Sequence, residues 1–168
     1  LFRARWNAHR RGNPGYRSFT VLRHPVARAH AVFCEKILPA GAGNFSKIRE
    51  TLRKRFKLPI PKDGPNQNYS LVNHRAAFES FLDFLRANLA GQTAIRVDAA
   101  WASQSQSISG FSDLSVPDFV FREEELAEEL PHLARRVGRM EPAELVAAAK
   151  DTPYALEDIY DAALEEKV

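Results

Sequence analysis

The sequence predicts an α/β layer architecture, a small and mostly parallel sheet flanked by helices, carried on a single domain over residues 1–168. Helix-like and strand-like patterns alternate along the chain, the order that stacks helices against a parallel sheet. A length of 168 residues, 45% hydrophobic and 27% charged, is enough for one core. No internal repeat, low-complexity tract or long linker divides the chain.

Residues 1–11 read as the tail of a helix, with Leu1, Phe2 and Trp6 on one side, ended by the turn formers Gly12, Asn13, Pro14 and Gly15. Residues 17–22 are a short β-rich run around Phe19, Thr20 and Val21. Pro25 suits the first position of a new helix, where its missing N–H costs nothing. Val26, Ala29, Val32 or Phe33 and Ile37 then carry an apolar stripe to about Leu38, before Pro39 and Gly41. A second helix over residues 45–56 is very basic, with Lys47, Arg49, Arg53, Lys54, Arg55 and the following Lys57. Residues 58–70, with three prolines, a glycine and Asn66, Gln67 and Asn68, read as a loop.

Residues 74–89 carry the clearest helical pattern, with Ala77, Phe78, Phe81, Leu82, Phe84 and Leu85 on one face, Asn73 as its cap and Gly91 as its close. A strand is expected over residues 93–97, a polar, serine-rich stretch over 100–112, and a short buried strand over 118–121. Residues 123–137 read as a helix with acids early and Arg135 and Arg136 late, as the helix dipole favours. Residues 158–168 read as helix without a stop signal and the chain starts at Leu1, so both ends are expected to be cut.

The charge is split. Residues 1–75 hold 16 Lys or Arg against 3 Asp or Glu, while residues 76–168 hold 8 against 18. That division fits an anionic partner on the first part, or two parts that pack together and neutralise each other. Cys34 is the only cysteine, which excludes an internal disulfide and favours a reducing, cytoplasmic setting. No apolar run approaches the roughly 18 residues of a membrane span, and no leader opens the chain. No two histidines stand at a metal-ligand spacing such as i, i+4, and acids are scarce near them, so no metal is expected. Cys34 is expected to be a buried, inert thiol and Trp101 a packing residue.

The chemistry concentrates in residues 18–38, SFTVLRHPVARAHAVFCEKIL, where a strand runs through Arg23, His24 and Pro25 straight into a helix. A helix that begins at a strand end offers unbonded N–H groups and a positive dipole end. An arginine there adds a bidentate fork, so phosphate is the natural ligand. Arg28 and Ala31 follow three apart on one helix surface.

Arg23, Pro25, Arg28 and Phe33 stand at the spacing of the 3'-phosphate motif R-x-P-x-x-R-x-x-S-x-[FY], and in this the chain resembles the carbohydrate sulfotransferases. The aromatic helix at Phe78 to Leu85, the stretch around Ile95, Ala100-Trp101 with Gln104, and Phe119 to Leu126, including Glu124 and Leu126, follow in the family's order. Around RHPVARAHAVF the chain is also similar to bacterial nodulation-factor sulfotransferases. The resemblance implies a P-loop-type sulfotransferase fold related to nucleotide kinases and, as cofactor, the sulfate donor 3'-phosphoadenosine 5'-phosphosulfate. It places Arg23 and Arg28 on the donor's 3'-phosphate and implies a hydroxyl of a carbohydrate or glycolipid as acceptor.

Ala31 stands where the family has serine, and Ala100 where it often has histidine. The Lys/Arg, Gly and Ser/Thr loop that holds the 5'-phosphosulfate in the family has no counterpart in the chain and is expected before Leu1. His24, His74, Glu79 and Glu124 are candidates for the base that deprotonates the acceptor, with none singled out. Two alternatives stand beside this reading: a sulfotransferase-like domain that has lost catalysis, and a module that binds nucleic acid or another polyanion through the basic helix.

Overall fold

The computed structural model describes residues 2–41, 45–141, 144–146 and 152–167. Leu1 and Val168, where the readings of the two chain ends fall, lie outside the described residues. The chain forms two compact units, Leu1–His24 with Ser103–Ala148, and Pro25–Ala102 with Ala149–Val168.

In the first unit, helix α1 (Phe2–Gly12) carries His9, Arg10 and Arg11 in its last turn, cations beside the terminal carbonyls. Strand β1 (Phe19–Leu22) pairs parallel with β2 (Phe119–Arg122), Phe19 opposite Phe119 and Leu22 opposite Arg122. The expected parallel sheet is present with two strands among the described residues. Ser18 and Asp118 lock its entrance. The Ser18 N–H and hydroxyl each donate to Asp118 Oδ2 at 2.8 Å, and the Asp118 and Phe119 amides donate to the Ser18 carbonyl at 2.9 and 3.1 Å. These bonds, helped by Arg10 and Arg17, hold the Asp118 carboxyl below its usual 3.8.

The serine-rich stretch contains a helix, α5 (Gln104–Ser112), capped by Ser103, whose hydroxyl accepts from the Gln106 N–H. Strand β2 leads through a 3-10 turn (Glu123–Glu125) into α6 (Leu126–Arg136), so this α-helix starts later than expected, behind three acids at its positive end. Leu133 and Ala134 on α6 and Phe121 on β2 are buried, and the Arg136 guanidinium lies 5.5 Å over the Phe119 ring.

The second unit holds the larger core. Helix α2 (Pro25–Val32) begins at Pro25 as expected and widens into a π turn (Phe33–Ile37) that buries Phe33, Cys34 and Ile37. Helix α3 (Ser46–Arg55) follows, then α4 (Leu71–Leu89), whose Ala77, Phe78, Phe81, Leu82, Phe84 and Leu85 are buried as their periodicity requires. Helix α4 starts earlier than expected because Ser70, not Asn73, is its cap. The Ser70 hydroxyl accepts from the Asn73 N–H, while Asn73 Oδ1 accepts from the Ser70 N–H, a capping box. Gly91, at φ 72°, closes the helix as expected.

Two expected elements are corrected. Residues 93–97 are not a strand, because Asn88, buried in the last turn of α4, draws the segment to itself. Its Nδ2 donates to Thr93 Oγ1 at 2.7 Å and to the Ile95 carbonyl at 2.6 Å. Its Oδ1 accepts from Trp101 Nε1 at 2.9 Å, which fixes Trp101 as a packing residue against Phe45, Phe81 and Phe84. The terminal helix shrinks to α7 (Ala162–Glu165), because Asp161 is held in extended backbone as its cap.

The split charge is partly neutralised inside each unit. Arg10 pairs with Asp118 and Arg23 with Glu123 in the first, and Arg75 with Asp161 in the second. No helix among the described residues is long and apolar enough to cross a membrane.

Candidate functional site

Arg23, the residue after β1, is held at three points within the first unit. Its N–H donates to Gln104 Oε1 at 3.0 Å and its carbonyl accepts from Gln104 Nε2 at 2.8 Å. Its guanidinium meets Glu123 as a bidentate fork, Nε to Oε2 at 2.6 Å and Nη2 to Oε1 at 2.5 Å. Main chain and side chain are thus both oriented, and the arginine is half-buried.

Arg28 belongs to the second unit, in the first turn of α2. Its Nη1 donates to the Ala102 carbonyl at 2.6 Å and its Nη2 to the Ala99 carbonyl at 3.0 Å, so it clasps the turn that carries Ala100 and Trp101. The Ala100 N–H donates to Asp98 Oδ1 at 2.9 Å. Beside this turn, an open cleft is lined by Ile48, Ile95, Arg96, Val97, Asp98 and Ala99.

The basic helix α3 is less of a surface stripe than its sequence suggests. Arg49 is buried, and its guanidinium donates to the carbonyls of Ile37 at 3.0 Å, Leu38 at 3.4 Å, Lys62 at 2.8 Å and Pro61. Burial and the neighbouring Arg53 lower its pKa, against the opposing pull of Asp63. Arg53 donates to the Ile60 carbonyl at 3.3 Å, and Lys54 pairs with Glu50 at 2.6 Å.

Of the candidate bases, His74 is fully buried, and burial holds its imidazole down at about 4, so it is neutral and away from any acceptor in solvent. Glu79 is engaged by Arg75 at 2.9 Å. His24 is half-buried and Glu124 exposed.

One grouping escaped the sequence reading. His30, Cys34 and His74, all buried, bring their ligand atoms within 4.8 Å of one another. Histidine-to-histidine spacing does not reveal it, because the pair at i, i+4 is His30 on α2 and Cys34 in the π turn that follows. Cys34 is buried as expected, and burial together with Glu35 pushes its thiol up to about 12.

A parallel strand pair packed by α6, with an arginine fixed where β1 ends, gives the first unit an α/β character. The family model described as the sulfotransferase family matches residues 2–154, and the chain belongs to that family. No curated protein and no solved structure matches it.

Proposed function

We propose that this sulfotransferase-family protein moves a sulfuryl group from 3'-phosphoadenosine 5'-phosphosulfate to a hydroxyl of a carbohydrate or glycolipid, in the manner of the nodulation-type bacterial enzymes. The reading takes residues 1–168 as one catalytic domain at work in the cytoplasm, with Arg23 and Arg28 on the 3'-phosphate. The observation that carries it is the Arg23 anchorage: Gln104 fixes the backbone and Glu123 orients the fork, so little entropy is lost when an anion takes the guanidinium.

The residues fit the 3' end of the donor in part. Ala31 supplies no hydroxyl, which leaves affinity resting on the arginines, and nothing in residues 1–168 matches the loop for the 5'-phosphosulfate. When bound, the nucleotide supplies the activated sulfuryl group, and the chain's part is to bind and orient it. The polyanion alternative loses ground, because Arg49 and Arg53 serve main-chain carbonyls and Lys54 serves Glu50. A donor-binding domain without turnover is the second reading, favoured by Ala31, Ala100 and the burial of His74.

Calorimetry of adenosine 3',5'-bisphosphate with the full-length gene product and its Arg23→Ala variant tests the donor site. Loss of a charge-assisted pair predicts about 2 kcal/mol weaker binding, roughly 30-fold. An intact, folded protein that shows no binding overturns the reading, and binding without sulfated product from an acceptor screen selects the second one.

A further inference from the structure

Within the second unit, α2 and α4 bring three metal-binding side chains to one buried point. His30 on α2 and Cys34 in the π turn that continues it stand one turn apart, and His74 meets them from the first turn of α4. His30 Nε2 lies 3.0 Å from His74 Nε2, and Cys34 Sγ lies 3.5 Å from His30 Nε2 and 4.0 Å from His74 Nε2. In a tetrahedral site, bonds of about 2.0–2.1 Å to nitrogen and about 2.3 Å to sulfur space the nitrogens about 3.3 Å apart and each nitrogen about 3.5 Å from sulfur. All three observed separations fall within about half an ångström of those values. Side-chain torsions can absorb that difference without moving either helix.

Two further observations favour a ligand over simple packing. The Tyr69 hydroxyl lies 3.2 Å from His74 Nδ1. This outer hydrogen bond turns Nε2 toward the cluster, which is how metal-ligating histidines are oriented. The helix carrying His30 widens to π bonding at Phe33, next to Cys34, a distortion that recurs at functional sites. Around the three ligands stands an aromatic wall. Phe78 meets the His30 ring at 5.1 Å, and Phe33 and Tyr154 meet the His74 ring at 5.5 and 5.4 Å.

We propose that His30, Cys34 and His74 form a binding site for one thiophilic d10 ion, Zn2+ or Cu+, which ties the helix that bears Arg28 to α4. Imidazole and thiolate are soft enough for these ions and wrong for Mg2+ or Ca2+, which take oxygen. On binding, the Cys34 thiol gives its proton to solvent, and each imidazole contributes a nitrogen lone pair. Zn2+ needs a fourth ligand beyond these three, whereas Cu+ is satisfied by the three side chains.

The probe is Co2+ added to metal-stripped protein, because it takes the place of zinc and its colour reports the ligands. The expected result is one equivalent bound, with a thiolate-to-metal charge-transfer band that Zn2+ displaces and that Cys34→Ser abolishes. Zn2+ at a hundredfold excess over its dissociation constant is expected to raise the melting midpoint by roughly 5–10 °C, and not to do so in Cys34→Ser. Titration with Cu+ against a competing chelator decides between the two ions. A folded protein that binds none of the three ions, or binds Co2+ without the thiolate band, overturns the proposal. Should Cys34→Ser fail to fold, the spectrum of the unsubstituted protein decides by itself.

Discussion

Arg49→Met removes a buried cation while keeping its apolar stem, and its cost follows from what Arg49 holds. The guanidinium binds the carbonyls of Ile37 and Leu38, at the end of the π turn, and those of Pro61 and Lys62 in the proline loop. A hydrogen bond from a charged donor contributes about 1.5–3 kcal/mol, and a buried acceptor left without a partner costs about 1–3 kcal/mol. These contributions do not add, because the loop relaxes and water reaches some carbonyls. A net loss of about 3–5 kcal/mol is expected, above that of a single such bond because several buried carbonyls lose their donor together. Arg49→Lys keeps the charge without the fork and should lose about half as much.

Urea unfolding followed by Trp101 fluorescence reads this loss, with Trp6→Phe as background so that only the second unit reports. That background is mild, since the buried Trp6 indole N–H finds no acceptor among the described residues. With a slope of about 2 kcal/mol per molar urea, the Arg49→Met midpoint should fall by roughly 2 M. A fall under about 0.5 M would show that the four carbonyls do not depend on the guanidinium, and the structural account of α3 would fail.

Glu123→Gln should tighten adenosine 3',5'-bisphosphate binding several-fold in calorimetry, since it removes a carboxylate beside the proposed phosphate and still accepts from Arg23; unchanged affinity would separate Arg23 from the donor. Arg28→Ala should expose the turn at residues 99–102 to limited proteolysis, because two carbonyls lose their donor. Ser70→Ala removes the cap of α4 and should cost about 1 kcal/mol in the same urea assay. The Asp118 carboxyl, depressed in the folded state, contributes stability that is fully present above its unfolded pKa and is lost as pH falls through the lower folded one. Its NMR titration midpoint should lie below 3.8, and Asp118→Asn should flatten that acid limb.

Local signals in the sequence located most of the second unit's helices, because the periodicity of Phe78, Phe81 and Leu85 and the fixed dihedral of Pro25 are properties of neighbouring residues. The failures lay in which polar side chain takes which partner, near or far along the chain. Nothing near residues 93–97 shows that Asn88 will take the Ile95 carbonyl and deny the segment a strand partner. Asn73 looked like the cap because it precedes the apolar face, but Ser70 competes for the same role and Asn73 completes the box. At the site, the motif gives Arg23 but not its partner, since Glu123 lies 100 residues away and the family pattern marks the neighbouring Glu124 instead. The basic helix misled for a similar reason, as a run of cations does not reveal that Arg49 turns inward. The i, i+4 spacing of His30 and Cys34 is legible in the sequence, whereas the third member, His74, lies 40 residues beyond Cys34.

The double hydrogen bond between Gln104 and Arg23 is, in chemical terms, a rung of β-ladder made by a side chain. A carboxamide has the same donor and acceptor as a peptide group, so Gln104 lengthens β1 by one residue on the cheap substitute of a single amide. Where the strand hands the chain to Pro25, the main-chain groups of Arg23 are therefore already satisfied and do not stand bare as an edge. Deamidation of Gln104 would break that rung with the loss of one NH2 group, since a carboxylate cannot donate to the Arg23 carbonyl. It would also set a negative charge against the Arg23 carbonyl, so the main-chain anchor of the arginine would be lost.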